Sequence, residues 1–335
     1  MQESYEWLKN IRSLNFENKS ILIIGGGNIA KKYVLALSKM KIKDVTVISK
    51  SKESAARLSD EFHIRSLAGG FEENLLNMKK VDLVIVATPI PLLIPATKLA
   101  LECGQNNILV EKPGSLYYQE LQSLAQKTNS QKIRIAYNRL VYPNFHKLKS
   151  LVKKEGGISS CKFTFTEQIH TIKFKNEYSE VYDRWGISNS LHVISMAIDL
   201  IGMPKEISAF RSGKLEWHKS GSIFVGSGIT EINIPFSYHA DWNSAGRWGI
   251  EVMTKENAYR LIPLEELYVY HKGSYEWEPV SFDIPFSDVK QGIAEEIALM
   301  LDNKTESEIG LVSLERAAQF NKLAEKIFGY DSNNN

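Results

Sequence analysis

The sequence predicts an α/β fold in two parts, a doubly wound parallel sheet followed by an α+β unit built on a large, mostly antiparallel open sheet. Three observations carry this. In the first 140 residues, short apolar runs alternate with helical patterns, the rhythm of a parallel sheet covered on both faces. Between residues 205 and 283 the chain reads as strand after strand with turn residues between them, the pattern of antiparallel pairing. At 335 residues it is too long for one ordinary core and fits about two domains.

The strands of the first part are predicted at 21–24, 45–48, 64–67, 83–87, 108–110 and 133–136, with helices such as 53–62 and 116–127 between them. A short amphipathic helix precedes them within the first twenty residues. After Pro143 a helix is expected over 145–154, stopped by Gly156 and Gly157, and an alternating strand over 162–167 opens the second part. The later strands are placed at 207–211, 223–225, 229–236, 248–253, 259–262 and 267–270. A helix over 188–201 ends at Gly202, with Pro204 just beyond. Helices over 289–301 and 314–327 complete the chain, and 331–335 reads as a frayed end. The expected domains are 1–140 and 141–335, the terminal helices of 289–327 packing back toward the first.

Lys and Arg total 41 against 39 for Asp and Glu, a formal net charge of +2, so no overall field recruits nucleic acid or an acidic membrane. A small-molecule partner fits this balance. Cys103 and Cys161 fall in different predicted domains, which argues against a disulfide framework or a metal site and for a reducing, cytoplasmic location. The first twenty residues lack the apolar core of a secretory signal. The most apolar window, 81–103, contains Asp82, three prolines and Lys98 and fails as a membrane span.

The strand at 21–24 runs into Gly25-Gly26-Gly27-Asn28-Ile29-Ala30, a G-x-G-x-x-A turn that opens a helix. There the first glycine permits a tight turn and the second lets the backbone approach a pyrophosphate. The small third residue lets helix and strand pack closely. The N–H groups at Asn28 and Ile29 are offered to the anion. This is the fingerprint of a Rossmann dinucleotide site. About twenty residues on, where an NAD enzyme usually carries an acid for the ribose, the sequence is Ser49-Lys50-Ser51-Lys52. Two hydroxyls and two ammonium groups there suit a 2′-phosphate, so NADP(H) is expected over NAD(H). The alternative is that Lys50 and Lys52 are solvated charges and Ser49 alone holds the ribose.

Two further strand ends, Ala87-Thr88-Pro89 and Val110-Glu111-Lys112-Pro113, lie at the carboxyl edge where such sheets bind ligands. With the glycine turn and the helix carrying His192 ahead of Gly202 and Pro204, they make the chain resemble the Gfo/Idh/MocA oxidoreductases, the glucose-fructose oxidoreductase and inositol dehydrogenase family. Asn138-Arg139 and the strand series followed by terminal helices extend the resemblance over nearly the whole chain. The resemblance implies hydride transfer between a nicotinamide and a secondary alcohol or ketone of a sugar, sugar acid, sugar nucleotide or cyclitol, with surface polysaccharide synthesis as one setting. Lys112 would orient the reacting oxygen and His192 exchange its proton. Thr88, Pro89, Glu111 and Asn138 would join Gly25, Gly27, Asn28, Ile29, Ser49, Lys50 and Ser51 around the cofactor. A homodimer or homotetramer through the second sheet is also implied by the resemblance.

The sequence departs from the family where the His192 helix carries Ser188 and Ser195 in place of two acids, and where Leu93 stands in place of a histidine. A catalytically silent nucleotide sensor is therefore the rival reading. Ser188, His192, Ser195 and Asp199 form one polar stripe on an otherwise apolar helix, which places the stripe toward a cavity. Arg184, Trp185 and Asn189, just before it, are expected substrate contacts, since an indole face and a guanidinium fork suit a sugar ring with an anionic group. Trp242, Arg247 and Trp248 fit a sheet or dimer contact equally well. His170, His218 and His271 are given no role.

Overall fold

The computed structural model describes residues 4–128, 131–174, 176–302, 309 and 311–330, so the tail at 331–335 lies outside the described residues. The chain forms two compact units, one of residues 1–141 with 284–318 and one of 142–283 with 319–335.

In the first unit, six strands make one parallel sheet: β1 (Ser20–Ile24), β2 (Asp44–Ile48), β3 (Arg65–Leu67), β4 (Leu83–Val86), β5 (Asn107–Glu111) and β6 (Lys132–Ala136). Their order is β3-β2-β1-β4-β5-β6, so the strand order reverses beside β1 and β4, the switch point where open α/β sheets take ligands. The central strands are buried on both faces, which is why they read as continuous Ile, Leu and Val runs rather than alternating ones. Helices α1 (Ser4–Lys9), α2 (Asn28–Lys39), α3 (Lys52–Phe62), α4 (Phe71–Asn74), α5 (Leu93–Glu102) and α6 (Tyr118–Lys127) accompany them. Trp7 and Leu8 of α1 join the core of β1, β4 and α2.

Residues 284–318 belong to this unit together with 1–141. The physical reason lies in the segment's later helix, Ile293–Leu301, whose residues 293–300 are all buried. A helix that buries every side has no solvent-facing stripe and needs cover all round. The chain around it is tied to the parallel sheet: Asn107 Nδ2 donates to Met300 O (3.1 Å), Lys132 Nζ to Met300 O (2.9 Å), and Ile135 N to Val312 O (2.8 Å). The helix starts later than the expected residue 289 because Gly292 takes φ +87° as its N-cap.

The second unit holds α7 (Pro143–Lys154), α8 (Ser179–Asp183), α9 (Leu191–Ile201) and eight strands: β7 (Ser160–Phe165), β8 (Pro204–Ser212), β9 (Ile223–Thr230), β10 (Pro235–Asp241), β11 (Trp248–Met253), β12 (Asn257–Leu261), β13 (Tyr268–His271) and β14 (Glu278–Pro279). Their order is β14-β13-β12-β11-β7-β10-β9-β8, with β7 and β10 parallel and every other pair antiparallel. Helix α9 lies on β7 and β11. The helix of Ile293–Leu301 is α10 in chain order, and α11 (Leu314–Phe328) follows it across the boundary between the units. Two expected elements are redrawn. The strand expected at 229–236 is interrupted: its ends belong to β9 and β10, and 231–234 form the turn between them, where Asn233 has φ +63° and its N–H donates to Thr230 O (2.9 Å). The helix at 188–201 begins as a π turn, Gly186–Ser190, and becomes α-helical only at Leu191.

Candidate active site

In the first unit the glycine turn sits against the end of β4. Gly25 has φ +117°, and a Cβ there would lie 2.4 Å from Ala87 O, so no other residue fits. A Cβ on Gly26 would lie 1.8 Å from Ser49 Oγ, whereas one on Gly27 would meet nothing within 4 Å. Gly27 is the N-cap of α2 and no side chain caps that helix, leaving its first N–H groups, at Asn28 and Ile29, to an anion. Two buried hydroxyls flank the turn: Ser49 Oγ beyond β2 and Thr88 Oγ1 beyond β4, neither with a hydrogen-bond partner. Buried polar atoms are normally paired, so two orphans beside an open helix N-terminus fit a polar ligand such as a dinucleotide.

Around them, Ser51 caps α3, its hydroxyl accepting from Ser54 N (3.2 Å), so that oxygen has a structural partner already. Lys50 is exposed, and Arg57 Nη2 reaches back to donate to Gly26 O (3.1 Å). Arg57 was not anticipated from the sequence. Pro89 is exposed at the end of β4.

At the end of β5, Glu111 Oε1 accepts from Tyr33 Oη (2.7 Å). Burial pushes the Glu111 carboxyl above the usual carboxylate range, opposed by the Tyr33 hydrogen bond and by the charges of Lys290 and Lys112. Lys112 follows through a cis peptide to Pro113 and is 8% exposed. Asn138 is buried, and its Nδ2 donates to Gln291 O (3.0 Å), so the amide nitrogen expected at the cofactor is engaged by the returning chain.

In the second unit the π turn and α9 carry the remaining candidates. His192 is partly exposed and its ring lies 5.9 Å, centroid to centroid, from Trp248. The stripe expected to line a cavity is divided in its partners. Ser188 Oγ donates to Val181 O (3.0 Å), Ser195 Oγ to His192 O (3.2 Å), and Asp199 pairs with Lys149. Asn189 Nδ2 donates to Glu167 Oε2 (2.8 Å) and Ser190 Oγ to Glu167 Oε1 (2.5 Å). Glu167, just past β7, was missed by sequence reasoning; it also lines a cavity of about 480 Å³ with His170, Trp242 and Asn243. Arg184 is buried and ion-paired to Glu325, with its guanidinium 4.9 Å from the Tyr330 ring centroid. Trp185 stacks on Tyr182, and its Nε1 is buried with no hydrogen-bond partner.

Residues 19–139 match the family model described as oxidoreductase family, NAD-binding Rossmann fold. The chain carries the nucleotide-binding domain of the Gfo/Idh/MocA oxidoreductases. No curated protein matches the chain by sequence. Among solved structures, a UDP-N-acetylglucosamine 3-dehydrogenase from Acidithiobacillus ferrooxidans is similar at 15% identity and TM-score 0.72, covering 94% of this chain and 98% of its own. A levoglucosan dehydrogenase in complex with NADH and L-sorbose gives 17% and 0.71, covering 93% and 96%. A biliverdin reductase from Synechocystis, in complex with biliverdin and NADP+, gives 15% and 0.71, covering 93% and 99%. At these identities the likeness speaks to the fold, which extends over both units. Among the described residues, no helix is long and apolar enough to cross a membrane.

Proposed function

We infer that this oxidoreductase transfers a hydride between a nicotinamide and a secondary alcohol or ketone of a sugar, sugar acid, sugar nucleotide or cyclitol. The observation that carries the reading is the pair of partnerless hydroxyls, Ser49 and Thr88, on either side of the Gly25–Gly27 turn, with Lys112 at the next strand end. The bound cofactor supplies the hydride chemistry. Lys112 holds a cationic N–H donor for the reacting oxygen, and His192, on a helix rooted in the second unit's sheet, is the group that exchanges its proton. Ser49, Lys50 and Arg57 favour NADP(H), since no carboxylate stands at the end of β2 to reject a 2′-phosphate. Two solved neighbours named for sugar or sugar-nucleotide dehydrogenation support the substrate class.

The neighbours of the predicted substrate residues refine the reading. Trp185, with its bare indole N–H, remains a substrate contact. Arg184 supports the π turn through Glu325, and Asn189 holds Glu167. The face of the second sheet that exposes Phe210 and Val225 is the surface for a homo-oligomer. Two free thiols suit a cytoplasmic protein.

The silent-sensor reading draws on Ser188 and Ser195, whose hydroxyls bond backbone carbonyls. Absorbance at the nicotinamide band across a panel of sugars and sugar nucleotides separates the two. Lys112→Ala and His192→Ala are each expected to lower kcat by about a hundredfold or more while the cofactor still binds. Turnover unchanged in either variant removes that residue from the mechanism, and tight binding with no turnover on any substrate favours the sensor.

A further inference from the structure

Behind the Glu111–Lys112 corner, the first unit closes around ionisable side chains that no motif announces. Tyr33, on α2, is fully buried and donates to Glu111. Glu296, on α10, is fully buried, and neither carboxylate oxygen has a hydrogen-bond partner. Glu295 beside it is also buried, but its carboxylate accepts from Gly292 N (2.9 Å) at the start of the helix. The helix packs against α2 and against the turn Asn138–Val141.

Lys290 interacts with both Glu111 and Glu296, and the neighbouring cations Lys32 and Arg139 act on Lys290. Lys112 acts on Glu111, and Glu295 on Glu296. Burial raises the Glu296 carboxyl well above its ordinary value, the Glu111 charge raises it further, and Lys290 opposes both. A buried ionised carboxylate without a hydrogen bond is far more costly than a neutral acid in the same place. Of the two carboxyls, Glu296 is the one with no hydrogen bond to favour its charged form.

We propose that Glu296 is a charge-compensating acid for the cofactor site, protonated in the free protein and releasing its proton to solvent when an oxidised, positively charged nicotinamide binds at the end of β5. This rests on the dinucleotide reading above. One O–H bond breaks, the cluster gains one negative charge as the site gains one positive charge, and no co-reactant is needed. A reduced nicotinamide ring is neutral and leaves Glu296 protonated. The positive ring lowers the carboxyl's pKa, so protons leave on binding between the lowered and the free values. Within that window the affinity for the oxidised form rises with pH.

Calorimetric titration of the full chain with NADP+ and with NADPH, in buffers of different ionisation enthalpy from about pH 6 to 9, tests this. The expected result is release of up to about one proton with NADP+, its Kd falling by as much as tenfold per pH unit, and no release with NADPH. Both forms carry the same 2′-phosphate, so its titration cancels. Glu296→Gln is expected to bind both forms and lose the difference, and Lys290→Met to move the window to higher pH. Equal release with the two forms, or a difference that survives Glu296→Gln, overturns the proposal. Should Glu296→Gln not fold, the wild-type difference and Lys290→Met decide, and a window that Lys290→Met leaves in place overturns it. If neither form binds, the dinucleotide reading itself has failed. If both bind without differential release, only the role of Glu296 has.

Discussion

Arg184 offers the sharpest test of how the second unit is built. Its guanidinium pairs with the Glu325 carboxylate, and the two side chains are only 7% and 5% exposed. Removing one member of a buried pair leaves the other charge without its partner in a dry place, which costs about 3–5 kcal/mol. In a unit of about 160 residues each kcal/mol moves the melting temperature by about 2–4 °C, so Arg184→Ala is expected to lower that unit's transition by about 6–20 °C. Glu325→Ala should do the same. The double variant Arg184→Met with Glu325→Leu, which leaves no charge behind, should recover most of the loss. Differential scanning calorimetry on the four proteins reads these differences. If Arg184→Ala melts as the wild type does and only substrate affinity falls, the guanidinium is a ligand group and the structural role assigned to it is wrong.

Two further outcomes follow from the same geometry. A Cβ on Gly27 meets no protein atom, so Gly27→Ala should fold with unchanged stability yet bind NADP(H) at least tenfold more weakly, because the space belongs to the pyrophosphate; fluorescence titration that finds an unchanged Kd refutes this. His218 is buried with Nδ1 2.7 Å from Gly221 O and Nε2 2.7 Å from Tyr330 Oη, which fixes Nδ1–H as donor and Nε2 as acceptor, and burial lowers its pKa. An unfolded histidine takes up its proton first as pH falls below about 6.5, so stability should drop by up to about 1.4 kcal/mol per pH unit until the folded value is passed. Urea unfolding of wild type and His218→Gln between about pH 5 and 7 reads this, and equal slopes would exclude His218 as the source.

The glycine turn and its sheet were legible because their requirements are local. Gly25 and Gly27 answer backbone demands within one turn, and the strands around them are buried on both faces, so their apolar runs are unbroken. The candidate residues of the second unit were legible as types but not as partners. Arg184 meets Glu325 across 141 residues, His218 meets Tyr330 across 112, and Asn189 meets Glu167 across 22. Periodicity carries no information about such pairs. The same limit hid Glu296, whose neighbours Glu111 and Lys290 include one 185 residues away in the chain. The turn at Thr230–Ile234 was read as strand because Ile232 and Ile234 keep the alternation going, although Asn233 at φ +63° breaks it.

The serines at 188 and 195 bear differently on the rival reading once the second unit is seen. From sequence they leave the His192 helix without its expected acids, and a silent binder follows naturally. In the structure the segment is not short of a carboxylate. Glu167 comes from the end of β7 and is held by Asn189 and Ser190, the two residues that precede α9. Ser190 and Glu167 are both buried, so the acid's place is fixed by the fold and not by rotamer choice at the surface. An acid displaced from the helix to a neighbouring strand end changes which variant should matter. If the segment serves proton transfer at His192, Glu167→Gln ought to move the pH profile of turnover while Ser188→Ala and Ser195→Ala leave it in place, a pattern a silent binder has no reason to show.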